Sequence, residues 1–263
     1  MGLPDPNSAA SEPSPSGQTE EVVPAHRGRR QSGKILALSV VAGLAAGLLA
    51  WAIGETRVVN AGPVQKQVKV MAFMTTQVTH EARLEGVRLD ATKANAIVDG
   101  LTGLLLGLIG GVVVGSGRRA ALAGGVGLVV GGLAGAVLTW ATMPLFEEWR
   151  APDTAAVLPS LVMHGLFWMP AGVAGGLALG LGLRDRIGLA VAGGVMGALL
   201  ATLLYEVVGA LVFPLASTGE PVSTTWLTRL LARLLLATFT AVAAALALAP
   251  RRPKAEVGAT VLS

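Results

Sequence analysis

Residues 112–125 read VVVGSGRRAALAGG, and their reading decides the fold. Three valines, then Gly115-Ser116-Gly117-Arg118-Arg119-Ala120, then a helix-forming run, fit the strand–GxGxxA–helix spelling of a dinucleotide-binding turn. Such a turn needs an acidic residue about 20 positions beyond its glycines to hold the ribose. At that distance the chain offers Gly135-Ala136-Val137-Leu138-Thr139-Trp140. The apolar runs on both sides are also too long for a strand and an ordinary soluble helix. The stretch therefore reads as a basic bend between two membrane helices, with Arg118 and Arg119 as its anchor.

Composition agrees. Hydrophobic residues make up 52% of 263 positions and charged residues 14%, against about 25% charged in a soluble domain. Mean hydropathy is +0.64. With no cysteine, disulfides, thiolate metal sites and cysteine nucleophiles are excluded.

Six apolar stretches follow a polar start. Residues 1–33 are rich in Pro, Ser and Glu and lack an apolar period, which predicts a disordered cytoplasmic tail. The tail ends in Arg27, Arg29, Arg30 and Lys34. Ile35–Ile53 then runs without a charge. Ala50-Trp51-Ala52 resembles a leader-cleavage site, but the run is too long for a leader core and reads as an uncleaved helix. The expected helices lie near 35–54, 95–115, 120–143, 160–183, 187–213 and 227–249, each close to the ~20 residues that cross hydrocarbon. The fold class is thus an all-α polytopic membrane bundle over 34–249, with a short basic tail at 250–263.

Charge and aromatics predict one topology. With both termini in the cytoplasm, Arg118, Arg119, Arg184, Arg186, Arg251, Arg252 and Lys254 face inward. Trp51, Trp140, Trp149, Trp168, Trp226 and Tyr205 then fall on the other side. Loop 55–94 would be extracytoplasmic. Within it Val64, Val68, Met71, Val78 and Ala82 recur at helical steps, predicting an amphipathic helix.

The glycines suggest a repeat. GLIGGVVVG (107–115) and GVAGGLALG (172–180) align all four glycines at an offset of 65, and a second step reaches Ala237, Ala241 and Ala245. Gly107, Gly111 and Gly115, then Gly172, Gly176 and Gly180, form small-xxx-small series; Gly127, Gly131 and Gly135, with Gly193 and Gly197, form others. Small residues four apart let helix backbones approach closely in lipid, where association gains no hydrophobic advantage. A threefold repeat of hairpins is expected, the third split between helix six and helix one. Three two-helix units match mitochondrial carriers in number, but their Pro-x-acid-x-x-base signature is absent. With Gly-rich hairpins joined by Arg-rich turns, the chain resembles small Gly-rich multi-helix bacterial membrane proteins. That resemblance implies a multi-pass fold and no particular activity.

The same offset of 65 links Asp99, His164 and Arg229, and Glu206 and Arg233 lie near the same depth. Ionisable groups inside a membrane usually face protein or water and pair with opposite charge. Depth predicts Arg233 with Glu206 and Arg229 with Asp99. Two arginines in this layer oppose a metal, and no GxSxG, HExxH or Walker motif is present. No metal, cofactor, catalytic residue or nucleic-acid partner is expected. The leading expectation is a non-catalytic structural or assembly protein of a bacterial inner (plasma) membrane. Its partners would be the bilayer and copies of itself or other membrane proteins. The alternative is a small-solute or ion transporter using the charged layer.

Overall fold

The structure is a computed structural model that describes residues 25–57, 66–70, 73–77, 80–149 and 157–249, with side chains described outside 25–31 and 66–77. Among the described residues there are six helices: α1 Ala25–Arg57, α2 His80–Val113, α3 Gly117–Trp149, α4 Val157–Leu183, α5 Ile187–Val212 and α6 Trp226–Ala247. All six are long and apolar enough to cross a membrane. The described strands, β1 Lys66–Val70 and β2 Phe73–Gln77, form one antiparallel hairpin in which Lys66 faces Gln77 and Val70 faces Phe73.

Three departures from the sequence expectation are the largest. The helix expected through Val64–Ala82 gives way to this hairpin. Its segments, KQVKV and FMTTQ, are rich in Val and Thr and mix polar with apolar residues, which suits a strand as well as a helical period. Of the five pattern residues, Val64, Met71 and Val78 lie outside the described residues, and Ala82 is buried in α2. Secondly, α2 begins at His80 and extends well beyond the apolar run. Thirdly, residues 25–33, placed in the disordered tail, belong to α1. The rest of that tail and residues 250–263 lie outside the described residues.

The helices form two shells. α2, α4 and α6 contact one another at the centre, while α3 lies against α2 and α4, α5 against α4 and α6, and α1 against α6 and α2. The buried residues Val98, Phe167 and Leu236 join in one core cluster, one from each inner helix. Deeper in, Leu106, Thr102 and Thr240 meet around Gly175. Side chains thus fill the contact between the inner helices.

Glycine sets the close approaches. A Cβ at Gly103 would strike the Gly127 backbone, one at Gly107 the Ala123–Gly124 backbone, and one at Gly111 the Ala120 backbone. In the α4–α5 hairpin, Gly172 meets Gly194 and Val195, Gly176 meets Ala190 and Val191, and Gly180 meets Ile187. Between α1 and α6, Gly43 meets Ala237 and Thr238, and Gly47 meets Arg233 and Leu234. Gly127 and Gly131 also touch Ala178 and Ala174 of α4, and Gly193 and Gly197 pack on Ala243 and Phe239 of α6.

Gly115 has a different part from the packing role expected of it. A Cβ there would meet open space, but its φ is +74°. Its N–H bonds the Val112 carbonyl at 2.9 Å, and the Ser116 N–H bonds the Gly111 carbonyl at 3.0 Å. This pair of bonds is a Schellman C-cap with glycine at the left-handed position. α4 closes the same way, Arg184 N–H to Leu181 O at 3.4 Å and Asp185 N–H to Gly180 O at 3.2 Å. There the left-handed residue is Arg184, φ 54°.

One helix interruption has a dedicated repair. Pro144 lies inside α3 and has no N–H, so the carbonyl four residues back, on Trp140, loses its helical donor. Arg88 of α2 donates to that oxygen from Nε at 3.0 Å and Nη2 at 2.7 Å, with its guanidinium 3.8 Å from the Trp140 ring centroid.

Candidate functional site

Asn95 stands 20 residues before the tight turn at Gly115, about 30 Å at ~1.5 Å per residue, which equals the hydrocarbon thickness of ~30 Å. At this end, away from the tight turns, the ionisable side chains gather.

The predicted pairings are corrected. Arg229, in the first turn of α6, bonds Glu55 of α1 through Nε at 2.5 Å and Nη2 at 2.8 Å. Its Nη1 donates to the Ser223 and Thr224 carbonyls at 3.0 and 2.9 Å. Asp99 is therefore not its partner. Glu206 of α5 lies 2.5 Å from His164 Nδ1 and accepts from the Ser160 hydroxyl at 2.6 Å, both groups on α4. Arg233 is therefore not its partner either. Arg233 instead makes a single long bond, Nη1 to Asn95 Oδ1 at 3.5 Å, and the Asn95 amide donates to Thr139 of α3 at 3.2 Å.

Depth alone misassigned the pairs because it ignores which helices touch. α6 lies between α1 and α5, so its arginines can turn either way. Arg229 turns to α1, where Glu55 sits in the last turn. His164 reaches Glu206 first because α4 and α5 form one hairpin.

His164 and Glu206 are nearly enclosed, with 4% and 10% of their side chains exposed. The imidazole packs edge-on to Tyr205 at 5.4 Å and tilted against Trp168 at 5.5 Å. An ionised Glu206 selects the Nδ1–H tautomer, leaving Nε2 as an acceptor. Glu206 stands between Ser160 and His164, so the imidazole is not placed to take the Ser160 proton, as nucleophilic catalysis would require. Among the described residues no three His, Asp or Glu side chains gather as a metal site.

Asp99 stands apart from the other four residues. It is fully buried against α3, where its backbone oxygen meets Gly131 and its carboxylate occupies the space that a Cβ at Gly135 would fill. Neither carboxylate oxygen has a hydrogen-bond partner.

A cavity opens among Asn95, His164, Trp168, Tyr205, Arg229 and Arg233, covered by Pro221–Ser223 of the α5–α6 connection. Its free volume of about 20 Å³ holds roughly one water. The connection is tied down by Thr224 Oγ1 to Ala216 O at 2.8 Å and by Thr228 Oγ1 to Ser223 Oγ at 2.9 Å. Thr218 seats against Gly209 of α5.

Asn95, Tyr205, Glu55, Ser223 and Thr139 were not in the sequence-derived layer. One signal was available: Asn95, His164 and Arg233, which line the same cavity, stand 69 residues apart, as do Gly115 and Arg184, which cap α2 and α4. The chain matches no family model, no curated protein and no solved structure.

Proposed function

We propose that the protein is a non-catalytic structural or assembly element of a bacterial inner membrane, with both termini cytoplasmic, built as three Gly-rich hairpin units. The observation that carries this reading is that the polar layer links helix to helix. Glu55–Arg229 joins α1 to α6, Ser160 and His164 with Glu206 join α4 to α5, and Arg233–Asn95–Thr139 runs from α6 through α2 to α3. Every helix thereby takes part at one level, in two groups, α1, α6, α2 and α3 on one side and α4 with α5 on the other, around a space for about one water.

The interval of 69 supports the repeat. It relates Gly103 to Gly172 and Ala241, Val98 to Phe167 and Leu236, and Asn95 to His164 and Arg233. Arginine at the tight turns and tryptophan toward the other end support the N-in orientation, and the helix approaches at Gly103, Gly172 and Gly43 support glycine-zipper packing. Transport of an ion or small solute is the second reading. Asp99 favours it, because an intramembrane carboxylate without a hydrogen bond is a functional-site feature.

Charge substitution separates the two. Glu55→Gln or Arg229→Gln alone leaves one charge partly buried and should destabilise by about 2–3 kcal/mol, while the neutral double variant recovers part of the loss. Unfolding in mixed micelles and solute flux in liposomes are measured on the same preparations. Unaltered stability in both singles, together with a lost flux, would reject the structural reading.

A further inference from the structure

Arg233 is under-satisfied. A guanidinium has five N–H donors, and the one bond that Arg233 makes, at 3.5 Å, is at the limit of hydrogen bonding. The carboxylates that face it are not bonded to it. Glu206 on α5 is taken by Ser160 and His164, Glu55 on α1 by Arg229, and Asp99 on α2 has no hydrogen bond. Arg233 is half-buried, and none of its remaining donors is sealed from water. Arg233 lines a space of single-water size beside Tyr205, Ser223 and Arg229, where the neighbouring groups include a phenol, a hydroxyl and a second guanidinium.

We propose that this cavity is a binding site for a small monovalent anion of halide size, held by the free donors of Arg233 beneath the Pro221–Ser223 cover. Chloride is somewhat larger than a water, carries no shape of its own and accepts from several donors at once, which suits a guanidinium with neighbouring hydroxyls. The inference is independent of the structural reading above, since a bound anion serves a scaffold and a transporter equally.

Purified full-length protein in detergent is titrated with sodium chloride, bromide or iodide against sodium gluconate at fixed ionic strength. Thermal unfolding and iodide quenching of tryptophan fluorescence are followed together. Halide should raise the unfolding temperature saturably. Iodide should quench a component that disappears in Trp168→Phe, because Trp168 lines the cavity. Arg233→Gln should abolish both responses. The Trp168-dependent quench in the otherwise native protein locates the site, so it decides the matter even if Arg233→Gln does not fold. A wild-type protein indifferent to halide, an iodide quench that survives unchanged in Trp168→Phe, or an Arg233→Gln protein with its response intact would each overturn the proposal.

Discussion

The bond from Arg88 to the Trp140 carbonyl gives the most discriminating prediction, because its worth depends on a proline four residues away. In the native chain that carbonyl has no helical donor, and Arg88 supplies two N–H groups and stacks on the indole. A hydrogen bond to a charged donor contributes about 1.5–3 kcal/mol. A cation–π contact at an exposed site adds about 0.5–1 kcal/mol. Arg88 is only partly buried, so water replaces some of this, and Arg88→Ala should cost about 2 kcal/mol. In a Pro144→Ala background the alanine restores a backbone N–H that bonds the Trp140 oxygen, leaving Arg88 little beyond its stacking. There the same substitution should cost about 0.5–1 kcal/mol. The coupling of about 1–1.5 kcal/mol is read from a double-mutant cycle. The assay exploits the cysteine-free sequence: with Ala178, fully buried in α4, replaced by cysteine, its labelling rate across an SDS titration of the micelles reports the unfolded fraction. Equal costs in the two backgrounds would refute the idea that Arg88 compensates for the proline.

Other outcomes follow from the turns and the glycine contacts. Arg184→Gly should stabilise by about 1 kcal/mol by relieving a left-handed residue, and Gly115→Ala should destabilise by a similar amount, both read from the same labelling curves. Gly103→Ala drives a methyl into the Gly127 backbone; thermal unfolding in detergent should show a loss of about 1–3 kcal/mol. Cysteine placed at Ser116 should react with membrane-impermeant reagents only after the cytoplasmic face is opened, and labelling of intact cells would reverse the proposed topology.

Membrane-length helices were legible in the sequence because their signal is a long run of one chemistry. The positions of the turns were legible for the same reason, since Ser116–Arg119 and Arg184–Arg186 interrupt that chemistry. The offset of the proposed repeat was not. A small-xxx-small series nearly matches itself after a slip of four residues, so aligning Gly107 with Gly172 matches four glycines and aligning Gly103 with it still matches three. The two choices, 65 and 69, differ by that one slip. For the proposed repeat, residues without such periodicity favour the larger interval: Asn95, His164 and Arg233 line one cavity, while Asp99, placed in the layer by the smaller one, lies against α3. Ion-pair partners stayed hidden because Glu55 and Arg229 are far apart in sequence and meet only where α1 packs on α6.

That last contact bears on how the protein is made. α2 with α3 and α4 with α5 are joined by tight turns and can pair as soon as both members enter the bilayer. α1 and α6 pair antiparallel, Gly43 on Ala237 and Gly47 on Arg233, yet they are separated by all the other helices. During synthesis α1 therefore sits in lipid with its glycine face uncovered until α6 is inserted, and the carboxylate of Glu55 waits equally long for Arg229. Insertion of α6, in effect, shuts a clasp whose first half was laid down with α1. A circular permutant that joins α6 directly to α1 and opens the chain in the 150–156 segment would carry all three pairs as contiguous hairpins, and its assembly would not have to wait for that closing step.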